Sequence, residues 1–497
     1  MMKNIFFLIM LTCFNFSGYC QWESYWVRYD VNGKLVYKSD ASGNTIPDFS
    51  MVGYEGGKTA FAQASVKFIL SPSGADDTKA IQQAINEVGK LPIVNQMRGA
   101  ILLKKGAYTV SATLQIKQSG ILIKGEGDDE KGTVINYTSM KQSDLFGIAG
   151  RDSILKQEAG KTAITDDVVP VGSKTFHVAS TTGYKPGDKV IVYRPATAKW
   201  IHDIKMDSIN KLPPNGRQWP LNEFNLSYER LITAVNTQTK LIALHAPLVM
   251  NLDKRYGGGQ LYHYTFAARI NHVAIQNLRM VSVYAGEDDE QHGWNAISIK
   301  AAEDCWVDKV TSVSFGYSCV NIAHTAKNVT VQNSRCLDPV SQIQGGRRYS
   351  FNCDGQLNLF KNCVTRNGRH DFVTGGAVCG PNVFYNCSAT KTHADIGPHH
   401  RWGTGTLYDN VTTDGEINVQ DRGASGTGHG WAGAFQVFWN CTAKTMICQQ
   451  PPMAINWNIA PKARYGKAWH PRPNSIWEGI GQSLIKPVSL YQAQLNN

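Results

Sequence analysis

Short apolar runs closed by asparagine recur through the second half of the chain. They are VAIQN at 273–277, VTVQN at 329–333, LNLFKN at 357–362, VFYN at 383–386, LYDN at 407–410 and VFWN at 437–440. Each reads as a short strand ending in a turn. From Asn333 the steps are 29 (to 362), 24 (to 386), 24 (to 410) and 30 (to 440). The 56 residues between Asn277 and Asn333 make two coils, with WVDKV at 306–310 as the middle strand and Asp308 or Lys309 at the Asn position. Periods of this size belong to solenoids. The Asn has a physical reason: the turn needs left-handed backbone, which Asn tolerates, and stacking sets equivalent side chains about 4.8 Å apart, within reach of hydrogen-bonded rows. The next position holds Leu278, Ser334, Cys363, Cys387, Val411 and Cys441. Small, mostly apolar residues at one repeated place predict an inward stack. Parallel strands joined this way should wind right-handed.

The first half starts differently. A loop, 73–77, leads into an amphipathic helix with Asp76, Asp77 or Thr78 as N-cap and Ala80, Ile81, Ala84 and Ile85 as its apolar face. Strands follow at 99–110, broken by Gly106, and at 114–116 and 121–124. The Asp-Asp-Thr helix start, the strand, Gly106-Ala-Tyr108 and Gly125-Glu-Gly127 together resemble the opening of the pectate-lyase-like β-helix superfamily. With the Asn-ended coils the resemblance covers roughly residues 60–127 and 271–445. It implies a parallel β-helix and a carbohydrate substrate, usually acidic. Fold alone does not fix chemistry. The aspartates and arginine base of calcium pectate lyases do not map onto this chain. Of the polygalacturonase-like pattern only His429-Gly430 matches.

Residues 151–270 break the rhythm and read as an inserted β subdomain with a long loop. Trp200, Arg217 and Trp219 in that loop are candidates for sugar stacking or for burial. The expected fold is all-β: a right-handed parallel β-helix with an N-terminal capping helix and an inserted small β subdomain. The expected segments are a signal peptide (1–20), an N-terminal segment (21–55), the β-helix start (56–150), the insertion (151–270), the coils (271–445) and a C-terminal cap (446–497), since solenoid ends need covering.

Composition fits a folded, turn-rich protein of 497 residues with 46 Gly, 42% hydrophobic and 18% charged residues. Lys3 followed by an apolar run at 5–11 reads as a secretory signal. Secretion or a periplasmic location follows; a lipid anchor on Cys20 is disfavoured by Tyr19 before it. No other run approaches the length of a membrane span. The formal charge of +11 favours an acidic polysaccharide or oligosaccharide over nucleic acid outside the cell. A monomer is expected. Of 11 cysteines, Cys13 and Cys20 fall in the signal region, and the odd nine that remain cannot all pair. Their register favours free, buried thiols over disulfides at Cys363, Cys387 and Cys441.

The same alignment suggests a basic row. Before segments 349–352, 371–374, 401–404 and 431–434 stand Arg347-Arg348, Arg369-His370, His399-His400 and His429. Solvated turn residues would explain one such site more readily than four. Cleavage of a uronate chain by β-elimination needs the carboxylate neutralised, a base for the C5 proton and an acid for the leaving oxygen. His serves as base or acid, and Arg clamps carboxylates. The candidate catalytic set is His370, His399, His400, His429, Arg348 and Arg401, with His400 or His370 as base and Arg348 and Arg401 on the carboxylate. Arg347, Arg422, Trp402, Trp431, Asp371 and Asp421 are the candidate substrate contacts. A polysaccharide lyase is the expected function. The alternatives are a hydrolase or epimerase using Asp371, Asp395, Asp414, Glu416 or Asp421, and a non-catalytic carbohydrate-binding protein. The acidic run Glu287-Asp-Asp-Glu290 suits Ca²⁺ or plain solvation. No Cys/His zinc spacing stands out, and no metal ligand is assigned.

Overall fold

A computed structural model describes residues 22–150, 156–157, 160–482 and 485–497. The expected signal segment, with Cys13 and Cys20, lies outside them. Among the described residues no helix is long and apolar enough to cross a membrane.

The coils stack into a parallel β-helix whose strands form one sheet of 29 strands. Three ladders run its length. The first carries the Asn-ended strands: Thr330–Gln332 pairs with Leu359–Lys361, which pairs with Cys379–Tyr385, then Gly403–Asp409, then Val437–Trp439. The second follows the turn, as in Arg335–Leu337, Val364–Arg366 and Ser388–Thr390. The third joins Gly293–Lys300, Ser318–Ile322, Phe351–Cys353, Phe372–Thr374, Asp395–Pro398 and Glu416–Val419. Their inward residues make one apolar core that includes Ile275, Val307, Val331, Phe360, Phe384, Tyr408 and Phe438.

The asparagines do what the spacing requires. Asn277, Asn333, Asn362, Asn386, Asn410 and Asn440 all have φ between 51° and 55°. Lys309 takes the same backbone (φ 53°) in the coil that lacks Asn, while Asp308 ends the side-chain row. The Asn333 amide donates to Asp308 (2.9 Å), Asn362 to Asn333 (3.1 Å) and Asn386 to Asn362 (2.8 Å). The row breaks above Asn386, because Asn410 donates to Asp409 and to the Val488 carbonyl. Asn362→Ala therefore loses two row bonds and puts a Cβ residue into left-handed backbone. We expect a loss of about 2 kcal/mol by urea denaturation, with Asn362→Gly recovering the backbone share.

All nine remaining cysteines are free, and eight are buried, Cys363, Cys387 and Cys441 in the stacked core. The helix is Thr78–Lys90, with Ile81, Ala84, Ile85 and Val88 buried. Asp77 is its N-cap residue, but its carboxylate accepts from the Ser73 and Thr109 amides instead of capping. Asp76 accepts from Thr78 and Ser111. The acidic pair thus clips the helix across the first coils.

Between Lys156 and Thr265 the chain forms its own antiparallel sheet of seven strands. It shares a core with the coils: Trp200 and Trp219 lie against Trp402, ring centroids 5.0 and 6.4 Å away. The coils run past residue 445, since Trp457–Ile459 and Ile476–Glu478 continue the first ladder. The helix Leu490–Leu495 then packs Leu490 and Tyr491 into the shared core.

Candidate functional site

Four histidines meet at a corner of the third ladder. His370 stands just before Phe372–Thr374, while His399 and His400 follow Asp395–Pro398. His429 follows a short helical turn, Ser425–Gly428. Ring centroids lie 4.2 Å apart for His370–His399, 5.1 Å for both His399–His400 and His399–His429, and 4.8 Å for His400–His429. His370 and His399 are buried; His400 and His429 are half-buried. One nitrogen of each ring, Nε2 of His370 and Nδ1 of the other three, is buried with no hydrogen-bond partner among the described residues. Such orphans are rare unless a site has another occupant or role.

Burial sets the charge here. Desolvation pushes His370 and His400 down to about 4 and His429 to about 3; Arg369 and Arg422 add to it at His370, Arg401 at His400, and His400 and Arg401 at His429. His399 falls well below its ordinary value, first from burial and then from His370 and Arg422. Burial thus disfavours the charged form of all four rings, which makes them ill suited to neutralise an anion. His370 Nδ1 lies 3.0 Å from the Asp395 carbonyl oxygen. The Asp395 carboxylate is bound by Arg422, whose Nη2 also donates to Asn418 (3.0 Å). Burial alone would raise Asp395, but Arg422 and His370 hold it below the usual carboxylate range.

The arginines divide. Arg401 is half-buried and donates from Nη2 to the Thr427 carbonyl (3.1 Å) on the loop that carries His429. Arg348 is turned away: its Nε and Nη2 donate to the Ser341 carbonyl. Arg347 pairs with Glu290 (2.5 Å). Arg422 is buried, with Trp469 under its guanidinium at 5.0 Å.

The four basic positions do not repeat one register. Phe372–Thr374 pairs with Asp395–Pro398, whereas the 401–404 segment feeds Gly403–Asp409 of the first ladder. After Pro398 the chain turns at Arg401 and Trp402, both at positive φ (56° and 62°), straight into the next strand. The histidines meet because two ladders converge at that turn. Trp402 and Trp431 are core residues, 1% and 3% exposed, and the Trp431 Nε1–H donates to the Ile204 carbonyl. Trp200 and Trp219 are buried too, so neither they nor these two offer a face to sugar. Asp371 is sealed under Ser350 and Thr392, and burial raises its pKa. Asp421 binds Arg472 (2.7 Å) and caps the Gly423 amide.

Sequence reasoning missed an aromatic row. Trp294 stacks on Tyr317 (6.2 Å), Tyr317 on Tyr349 (5.1 Å), and Tyr349 meets His370 and His399 edge-on at 5.0 and 5.4 Å. Trp294 and Tyr317 are half-exposed. Successive coils thus set a ladder of rings that ends on the histidines. The spacing Trp294, Tyr317, Tyr349 (23, then 32) follows the coil length and was the available signal. Next to His400, which lies against Gly375, a cleft of about 310 Å³ opens between Asp354, Gly376 and Ala377 of the coils and Glu223 and Ser227 of the insertion.

The run at 287–290 is engaged locally. Asp289 accepts from the Ala285 and Gln291 amides, and Glu290 holds Arg347.

No family model matches the chain, and no curated protein matches it. Solved structures similar in fold include the tailspike protein gp49 from Pseudomonas phage LKA1, at TM-score 0.44 and 16% identity over 78% of this chain. The chain spans 56% of that tailspike's length. A polygalacturonase from Erwinia carotovora ssp. carotovora reaches TM-score 0.38 and 9% identity, covering 84% of this chain and 99% of its own. An alginate lyase from Paenibacillus sp. str. FPU-7 reaches 0.38 and 9%, covering 82% and 97%. The parallel β-helix itself is given by the chain's own strand pairing.

Proposed function

We propose that the chain is an extracellular carbohydrate-active protein that cleaves a uronate-containing polysaccharide by β-elimination at the histidine corner. The observation that carries this reading is the aromatic row Trp294–Tyr317–Tyr349 running coil by coil into His370, His399, His400 and His429. The rings stack on one another, so a passing sugar chain meets the accessible edges of Trp294 and Tyr317, with Tyr349 buried beneath them. In the reaction a base removes the C5 proton, the C4–O bond breaks, the electron pair becomes the C4–C5 double bond, and the leaving oxygen takes a proton. His400 is the base: it is half-buried, and its ring lies against Gly375 beside the cleft. Arg401 holds the carboxylate. The loop 425–428 occupies its Nε and Nη2, which leaves the Nη1 donors for a ligand. Arg348, bound to Ser341, has no part in this clamp.

The test is incubation with a panel of uronate polysaccharides while the ultraviolet absorbance of the unsaturated product is followed. A rise supports elimination. New reducing ends without that rise mean hydrolysis, and binding without either means a non-catalytic protein. Tyr317→Ala should raise KM about tenfold, some 1.4 kcal/mol, with kcat nearly unchanged.

The hydrolase reading rests on one pair. Asp395 and Glu416 lie in register on adjacent strands, so their side chains spring from backbone positions about 4.8 Å apart and could serve as the carboxyl pair of a glycosidase. Glu416 is raised by burial while Asp395 is lowered. Arg422 occupies Asp395, which favours elimination.

A further inference from the structure

We infer that His370, His399 and Asp395 form a binding site for one divalent transition-metal ion of the zinc class. Each of the three offers a ligand atom, these atoms lie within 4.8 Å of one another, and all three residues are buried. No other group of three or more His, Cys, Asp or Glu among the described residues meets that spacing. Metal at about 2.0–2.2 Å from nitrogen and oxygen ligands sets neighbouring ligand atoms about 3.3 Å apart. Small rotations of the two rings close the difference.

Three further features fit a metal. Nε2 of His370 and Nδ1 of His399 are buried and unpartnered among the described residues, so two bare imidazole nitrogens already face no protein donor. In the tautomer that donates from Nδ1 to the Asp395 carbonyl (3.0 Å), His370 is fixed with Nε2 free, the outer hydrogen bond that metal-binding histidines usually make. The Asp395 carboxylate is divided: Oδ2 takes Arg422, which leaves Oδ1 as the oxygen to ligate. A ligating carboxylate held by a second partner is the common arrangement. Two imidazoles and one carboxylate suit Zn²⁺ and its neighbours better than Ca²⁺, which prefers oxygen alone. Three protein ligands leave a position open. His400 and His429 border it, and being half-buried they mark the side from which an ion enters.

The site stands on its own geometry. Its part in turnover rests on the elimination reading: an ion at this corner supplies positive charge for the uronate carboxylate beside Arg401.

The experiment uses the full chain, stripped with chelator, equilibrated with Zn²⁺, desalted and assayed for bound metal by mass spectrometry. One equivalent per chain is expected. His370→Gln and His399→Gln should each weaken Zn²⁺ more than about 100-fold, while His177→Ala, an exposed histidine on the inserted sheet, should leave it unchanged. Circular dichroism checks that the variants fold; if one does not, Asp395→Asn and the remaining variant decide. Co²⁺ in place of Zn²⁺ should give a ligand-field spectrum in the native chain that both variants lose. A native chain that retains no metal, or variants that retain it fully, overturns the site. Stoichiometric metal without elimination on any uronate chain sinks the elimination reading and leaves the site standing. Full elimination by a chain that binds no metal does the reverse.

Discussion

Replacing Arg269 with Met should cost about 3–5 kcal/mol of stability, read as a lower midpoint in chemical denaturation. Arg269 joins the insertion to the coils. It binds both carboxylate oxygens of Glu229 (2.6 and 2.8 Å) and the Thr325 carbonyl (3.0 Å), and Glu229 also takes Lys327 (3.0 Å) and the Tyr264 hydroxyl (2.6 Å). The Arg269 and Glu229 side chains are 3% and 4% exposed. Removing the guanidinium leaves a buried carboxylate short of charge, which costs far more than the pair gains over an apolar substitute. Glu229→Leu combined with Arg269→Met should recover part of the loss, since Lys327 keeps Glu303 (3.5 Å). The pH dependence has a definite sign. Burial alone would raise Glu229, but Lys327 and Arg269 outweigh it and hold the carboxyl well below its ordinary range. A depressed folded pKa gives stability that is complete above the unfolded carboxyl value, about 4.3, and fades as pH falls below it. The native chain should therefore lose this contribution in acid. Arg269→Met, with less to lose, should show a shallower acid slope, and an unchanged slope would count against the assignment.

Much of the fold was legible because a coil is a local repeat. Asn at 277, 333, 362, 386, 410 and 440 marks the left-handed turn, and one register then sends Cys363, Cys387 and Cys441 inward. Even the coil without Asn obeys, with Lys309 at the turn and Asp308 closing the row. The site was less legible. Its residue types were visible, but counting back from each Asn assumed that every coil spends its residues alike. The coil ending at Asn410 does not: Gly403–Asp409 is a seven-residue strand that absorbs the positions aligned with Phe372–Thr374. That shift put Trp402 and Trp431 on an imagined edge, while the insertion, whose packing no repeat encodes, buries Trp402 against Trp200 and Trp219 and takes the Trp431 Nε1–H on the Ile204 carbonyl. The Asp395–His370 contact was hidden for the same reason, since it depends on which coil lies above which, whereas the aromatic row left a signal in its 23- and 32-residue spacing.

Replacing His400 with Ala should lower kcat for elimination by about 10²–10⁴, the span a positioned general base supplies, while the fold and the affinity for substrate change little. His400 is the choice over its neighbours on position. His370 is deep in the corner, with Nδ1 held by the Asp395 carbonyl, and His399 is wedged between His370, Tyr349 and His429. His400 lies against Gly375 and the cleft lined by Asp354 and Gly376, where a sugar arriving along Trp294, Tyr317 and Tyr349 would end. Its ring packs on His399 and His429 at 5.1 and 4.8 Å, so circular dichroism of the variant accompanies the kinetics. The decisive comparison is with Tyr317→Ala. A base variant should lose kcat and keep KM, whereas loss of a stacking ring should raise KM and keep kcat. Equal effects of both variants on KM alone would make the corner a binding platform and move the chemistry elsewhere along the helix.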